Sequence, residues 1–336
     1  MLKMSSSNKV CSNNNISITE ATAKLKLSDY LGSIKARIGI NRMNYKVEPG
    51  LYSLGKPDSN SPVMVTGNYK MSFDALRKEL TGINTYILVL DTKGINVWCA
   101  ASKGTFGTKE VVNRINKVNL SQVVAHKTLI LPQLSATGVS AHEVQKKSGF
   151  KVVYGPVRAE DIPEFLDNEM RATTEMRRVN FDFKDRVVLT PFEIVNSLKV
   201  TLMILGVLFL LNLLKIGNFT GSDVIAYVGA IVTGCVIVPI LLPFIPGRAF
   251  SFKGWFIGIL WTVVAIFLMG IYASYFKTIA YLLILPSVAS YYAMNFTGCS
   301  TYTSLSGVVK EMKIAVPLIA SSITLGTVLI LLSNNF

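Results

Sequence analysis

Apolar residues fall into two regimes along this chain. Up to about residue 170 they come as short runs of strand length, separated by segments with helical period. After Ser197 they continue almost unbroken in stretches of about 20 residues. In the first regime, residues 62–67 read as a short buried strand, 72–80 as a helix capped by Ser72, and 85–91 as a strand covered on both faces. Residues 110–118 follow as a helix capped by Thr108, with apolar positions at Val111, Val112, Ile115 and Val118. Next come a strand over 127–131, a helix over 140–148, a strand over 151–154, and a helix over 159–168 with Pro163 near its start. Such alternation predicts an α/β domain with a parallel sheet and helices on both faces. Ligands of open sheets bind outside the carboxyl ends of the strands. Those ends are Thr66-Gly67-Asn68, the run from Asp91 to Phe106, the loop from Gln133 to Val139, and Gly155-Pro156-Val157-Arg158.

The flanks complete the expected organisation. Residues 1–22 are rich in Ser and Asn, lack the apolar core of a signal peptide, and are expected to be disordered. Residues 23–61 carry turn signals at Glu48-Pro49-Gly50 and Gly55-Lys56-Pro57-Asp58 and read as an extended arm opening a domain that runs over 23–170. Residues 171–196, with Arg177, Arg178, Lys184 and Arg186, form a basic juxtamembrane linker suited to anionic lipid. Beyond it, over 197–336, the apolar stretches predict an all-α transmembrane domain of five helices at about 198–216, 224–244, 255–273, 278–294 and 314–332. Arg248 and Lys253 in the second loop and Lys310 and Lys313 in the fourth share a side with the basic linker. The expectation is a multi-pass protein of the cytoplasmic (inner) membrane, its α/β domain cytoplasmic and its C-terminus on the opposite side.

Composition narrows the chemistry. The net charge is +14, yet aromatics do not interleave with the basic residues and no nucleic-acid motif is present, so nucleic acid is not expected as a partner. The four cysteines, Cys11, Cys99, Cys235 and Cys299, are far apart, which fits a reduced compartment and builds neither a zinc site nor an iron–sulfur cluster. There are two histidines, His126 and His142, and neither lies near a cysteine in sequence; His142-Glu143 does not extend to a zinc-binding HExxH. The glycines of Lys103-Gly104-Thr105-Phe106-Gly107-Thr108 lack phosphate-loop spacing. Cys99 stands apart, since it follows a strand end, opens a helix and has Lys103 one turn away, features that favour a thiolate. From the residues alone it is a nucleophile, a soft metal ligand or a small core residue.

The stretch Asn96-Val97-Trp98-Cys99-Ala100-Ala101-Ser102-Lys103 resembles the signature of the corrinoid protein of microbial mercury methylation, Asn-(Val/Ile)-Trp-Cys-Ala-(Ala/Gly)-Gly-Lys. It matches at all positions but Ser102, and the segment Asn295 to Ser304 also looks like family sequence. That family is related to the corrinoid-binding domain of the corrinoid iron–sulfur protein. The resemblance implies a Rossmann-like corrinoid-binding domain followed by membrane helices, and a corrinoid-dependent methyltransferase that passes a methyl group from a methyl-Co(III) corrinoid to Hg(II), forming methylmercury under anaerobic conditions. It implies a cobalamin-type corrinoid whose cobalt takes the Cys99 thiolate as lower axial ligand. The implied cofactor-binding residues are Thr66, Asn96, Val97, Trp98, Cys99, Ala100, Ala101, Lys103, Gly104, Thr105 and Phe106, with Leu134, Ser135, Ala136, Gly138 and Val139 from the next loop. The implied partners are a ferredoxin-like protein with two 4Fe–4S clusters as electron donor, a methyl-folate-dependent methyl donor system, Hg(II), and membrane lipid. Ser102 adds a Cβ and a hydroxyl where the family has Gly, in a position to crowd the ligand or to add a hydrogen bond.

Overall fold

A computed structural model describes residues 9–11, 17–216, 218–270, 274–299 and 305–333. The chain divides into two compact units, Met1–Ala36 with Ile40–Val179, and Arg37–Gly39 with Asn180–Phe336. The first is built on seven strands: β1 (Lys9–Cys11), β2 (Ser17–Ala21), β3 (Gly50–Leu54), β4 (Val63–Gly67), β5 (Thr85–Leu90), β6 (Thr128–Leu131) and β7 (Lys151–Tyr154). Their spatial order is β1-β2-β3-β5-β4-β6-β7. Around them lie α1 (Leu27–Arg37), α2 (Lys70–Glu79), α3 (Val97–Ser102), α4 (Thr108–Lys117), α5 (Leu120–Val123), α6 (Ala141–Ser148) and α7 (Ile162–Asp167).

The strand centres alternate between two faces. Val63, Val65, Leu88, Leu90, Leu129 and Leu131 pack with α3, α4 and α6, whereas Met64, Ile87, Val89 and Ile130 pack with α2 and α7. Both faces are therefore apolar, which is why these segments read as continuous hydrophobic runs. Strands β4 to β7 are mutually parallel where paired, but β3 runs antiparallel beside β5 and β1 antiparallel beside β2. The sheet is thus mixed and dominated by parallel pairs, a correction to the all-parallel expectation. β3 escaped detection because only Leu51 and Leu54 of its five residues are buried. Within the start expected to be disordered, residues 17–21 form β2, which pairs in parallel with β3 from Ile18↔Leu51 to Ala21↔Leu54, while residues 1–8 and 12–16 lie outside the described residues. The arm expected over 23–61 contains α1 and β3, and Met176, in the expected linker, is buried in the core of the α/β unit. Helix α2 begins at Lys70 with Tyr69 as its N-cap, not at Ser72.

α1 and α2 are joined by a buried lattice of charge. Asp29 receives Lys70 Nζ at 2.7 Å and Arg77 Nη2 at 2.8 Å, and Asp74 receives the same two side chains at 2.7 and 2.8 Å. Burial pushes the Asp29 carboxyl up, but hydrogen bonds from Lys70, the Lys26 N–H and Arg77 outweigh it and hold the pKa at about 2.

The second unit is helical: α8 (Phe183–Leu213), α9 (Gly221–Val232), α10 (Val238–Leu241), α11 (Phe250–Leu268), α12 (Tyr275–Asn295) and α13 (Leu305–Ser333). A π-turn over Thr233–Ile237 links α9 to α10. Four of the described helices are long and apolar enough to cross a membrane: Phe183–Leu213, Gly221–Leu241, Phe250–Leu268 and Ser306–Leu332. These are compatible with a membrane protein. The fourth expected span coincides with α12, whose apolar run is diluted by Tyr281, Pro286, Ser287, Ser290, Tyr291 and Tyr292, and about half of whose residues are buried inside the bundle. α11 approaches it closely because a Cβ on Gly254 would lie 2.6 Å from Ala293 Cβ. Lys253, expected among the loop charges, is instead buried and donates to the carbonyls of Leu242 and Ile245 at 2.6 and 2.7 Å. Of the segment from Asn295 to Ser304, residues 300–304 lie outside the described residues.

Removing one carboxylate of the buried lattice leaves two cations sharing the other. Asp29→Ala is expected to destabilise the α/β unit by about 2–4 kcal/mol, read as faster amide exchange in α1 and α2. Because the folded pKa of Asp29 lies below the ordinary carboxylate value of about 4, its contribution is complete above that pH and disappears as pH falls toward about 2. An acid titration of wild type should show a loss of α1–α2 protection in that window, and the variant should not.

Candidate functional site

The chain leaves β4 through α2 to reach β5 on one side, then returns from β5 to β6 on the other side of β4. The carboxyl ends of β4 and β6 therefore diverge, as expected of a ligand crevice at the switch point of an open sheet. A cavity of about 290 Å³ opens there. Its walls include Thr66 from β4, Leu131 at the end of β6 with Pro132 and Leu134 after it, Gly155 to Arg158 after β7, and Asn96, Val97 and Trp98 at the start of α3.

The loop feeding α3 is fixed by Asn68, buried at the end of β4. Its Oδ1 accepts the Thr92 N–H at 3.1 Å, the Thr92 hydroxyl at 3.0 Å and the Gly94 N–H at 2.9 Å. The Thr92 hydroxyl is also within 2.7 Å of the Ile95 carbonyl. One buried amide thus fixes the turn between β5 and α3, and losing it would leave backbone donors unpaired. Asn96 then caps α3, its Oδ1 accepting the Cys99 N–H at 2.9 Å. α3 stops after six residues at Gly104, whose φ of +78° only a residue without a Cβ adopts freely.

Most of the expected site residues fall into three groups. Thr66, Asn96, Val97, Trp98 and Leu134 line the cavity together. Cys99, Ser102, Lys103, Gly104 and Ala136 are exposed, and Cys99 is an unpaired thiol directly following three cavity-lining residues. Ala100, Ala101, Phe106, Ser135 and Val139 are buried. The two alanines are packed in the domain core, where their small size lets α3 sit close. Thr105 is half-buried and its hydroxyl donates to the Ala100 carbonyl at 3.3 Å. Gly138 has the same function from the other side: a Cβ there would collide with the Phe106 carbonyl and lie 2.8 Å from the Ala101 carbonyl. The loop carrying Gly138 is held by the Tyr154 hydroxyl, which donates to Val139 O at 2.5 Å, and by the Ser140 N–H, which donates to Thr108 Oγ1 at 2.9 Å. Ser102, one turn beyond Cys99, turns its hydroxyl back to the Trp98 carbonyl at 3.2 Å, so it offers no outward donor.

The cavity walls also include Ser72, Ala75 and Leu76 of α2, which sequence reasoning passed over, and Gly155 to Arg158, named there as a strand end but not among the implied cofactor-binding residues. The second set was legible as a strand-end loop; the first was not, because α2 reaches the crevice only through its packing on the sheet. Among the described residues, no group of three or more His, Cys, Asp or Glu is placed to hold a metal ion.

An α/β ligand domain with its cavity at the switch point and a free thiol beside it is the class this architecture defines. Residues 31–166 match the family of the CO dehydrogenase/acetyl-CoA synthase delta subunit. Similar proteins include the acetyl-CoA decarbonylase/synthase complex subunit gamma of Methanopyrus kandleri, 33% identical over 126 residues, which are 37% of this chain and 27% of that one. The corresponding subunit of Archaeoglobus fulgidus is 30% identical over 128 residues, 38% of this chain and 27% of its own. The corrinoid/iron-sulfur protein large subunit of Moorella thermoacetica is 31% identical over 122 residues, 36% of this chain and 27% of its own. The chain spans about a quarter of the length of these curated relatives. The likeness lies in the α/β unit.

Gly138→Ala is expected to push α3 away from the loop after β6 at a cost of about 1–3 kcal/mol. Hydrogen exchange should quicken across α3 in this variant while the helices of the second unit keep their wild-type rates. Asn68→Ala should do the same through the β5–α3 turn.

Proposed function

We propose that the chain is a membrane-anchored corrinoid protein of methyl transfer, with the Cys99 thiolate as lower axial ligand of cobalt and Hg(II) as methyl acceptor. The observation that carries this reading is the setting of Cys99, an exposed free thiol directly after three residues of the cavity wall. With no metal-binding group of side chains among the described residues, one thiolate does not hold a bare ion. It suffices for a metal whose equatorial positions are filled by a macrocycle. The likeness to a protein named for its corrinoid supports the same reading.

A corrinoid, when bound, supplies a cobalt centre able to carry a methyl group and release it. The chain's own residues position and shield it. Asn96 fixes the first turn of α3, and so the Cys99 backbone, through the Cys99 N–H. Asn68 and Gly138 hold that helix against the sheet and the loop after β6, which keeps the sulfur from yielding under a ligand. Trp98, Val97 and Leu134 give the cavity an apolar wall. Mercury as acceptor is supported by the Asn96–Lys103 resemblance, and by the soft character of a thiolate-ligated site. On this reading a ferredoxin-like protein with two 4Fe–4S clusters supplies electrons, a methyl-folate system supplies the methyl group, and five membrane helices keep the α/β unit on the cytoplasmic side. A second reading, a corrinoid methyl carrier with another acceptor, is favoured by relatives named as subunits of acetyl-CoA decarbonylase/synthase complexes.

The test is anaerobic purification of the full chain with a cobalamin-type corrinoid, followed by a methylmercury assay with the reducing partner and Hg(II). Wild type is expected to bind corrinoid and form methylmercury; Cys99→Ala should shift the cobalt absorption spectrum and form none. Full product from Cys99→Ala would end the thiolate reading. Bound corrinoid with no methylmercury from wild type would move the assignment to the second reading. Ser102→Gly should leave the spectrum unchanged, since the hydroxyl it removes is already spent on the Trp98 carbonyl.

A further inference from the structure

Helix α1 is amphipathic in the inverted sense. Its inner face carries the ion-paired Asp29 together with Gly32, Ser33 and Ala36, and its outer face carries Leu27, Tyr30, Leu31 and Ile34. Those four side chains are 74, 52, 51 and 55% exposed, and the following turn adds Ile40 and Met43 at 54 and 60%. Spacings of three, one and three residues place the four on one helical stripe. A soluble domain ordinarily turns such a stripe inward, and a contiguous exposed one marks a contact surface. The orientation is not loose. Asp29 is tied to Lys70 and Arg77 at 2.7 and 2.8 Å, and the Tyr45 hydroxyl donates to the Asp29 carbonyl at 3.0 Å. The buried charge lattice therefore holds the apolar stripe outward.

The stripe is accompanied by cations. Lys24, Lys26, Lys35 and Lys46 are exposed near it in the chain, and the acidic residue of the helix, Asp29, is buried in ion pairs. An apolar stripe accompanied by lysines matches the interface of an anionic bilayer, apolar side chains entering the headgroup layer and cations meeting lipid phosphates. The chain also passes from the end of the α/β unit at Val179 to the first long apolar helix at Phe183, so the connection between the two is short.

We infer that α1 and the turn after it form a peripheral membrane-docking surface of the α/β unit, selective for anionic phospholipid. The inference rests on the membrane reading of the second unit but not on corrinoid binding. The full chain is placed in nanodiscs of phosphatidylcholine, with or without phosphatidylglycerol, and amide exchange over Leu27–Arg37 is followed by mass spectrometry. Exchange is expected to be roughly tenfold slower with phosphatidylglycerol than without. The double variant Leu31→Glu, Ile34→Glu changes only exposed side chains and should lose that difference while α2 and the sheet exchange as in wild type. Equal exchange in both lipids overturns the inference, as does protection that depends on protein concentration, which would assign the stripe to a second copy. Alkaline carbonate extraction of the same protein from membranes tests the spanning helices separately. Release into the soluble fraction overturns the membrane reading itself, whereas retention with equal exchange overturns only the docking surface.

Discussion

The close approach of α3 to the loop after β6 is the constraint on which the candidate site depends. Helix and loop touch backbone to backbone, because Gly138 has no side chain to hold them apart and Ala101 presents only a methyl. Ala100 and Phe106, both fully buried, extend the contact into the core under β5 and β6. A helix of six residues has little stability of its own, so its position comes from this packing and from the Asn68 and Asn96 side chains that fix its entry. Cys99 is exposed, yet its backbone N–H is bound by the Asn96 side chain and its helix neighbours Ala100 and Ala101 are buried in the core. A thiol held this way is suited to present one sulfur in a fixed direction.

A second lattice performs a similar task at the far edge of the helix layer. Four charged side chains, each nearly buried, pair across α1 and α2. Such lattices add little net stability over an apolar contact, but they allow few alternative arrangements. Here the arrangement turns the polar face of α1 inward and its leucines outward, against the ordinary preference of a soluble domain. The α/β unit thus carries two features that packing alone would not select: a free thiol beside a cavity, and an outward apolar stripe.

Much of the sheet was legible because its inner strands are apolar on both faces. Residues 85–90 and 128–131 contain no alternation to misread, and they proved to be β5 and β6. The corresponding failure is β3, with two buried leucines in five residues and a preceding Pro-Gly that reads as a turn. Helix α1 was missed although Leu27, Tyr30, Leu31 and Ile34 recur at helical spacing; what only the tertiary structure shows is that this face turns outward and Asp29 inward. Lys253 illustrates the same limit among the long helices. Read as a loop charge, it is buried on carbonyls at the end of the preceding helix, a pairing that no linear pattern reveals.

The order of short strands and helices, the long apolar stretches, and the thiol at a strand end were determined by sequence, because each is a local property of residue type and period. Which of the expected site residues line the cavity, lie exposed or are buried was decided only in three dimensions. Ala100 and Ala101 adjoin Cys99 in the chain, but helical geometry turns them to the core and leaves the sulfur outside. Ser102, the position at odds with the resembled signature, is satisfied by its own helix, since an i−4 carbonyl lies within reach of its hydroxyl. The cavity beside the thiol exists because β4 and β6 carry their chains to opposite sides of the sheet, a divergence set by strand order and therefore invisible until the strands are paired.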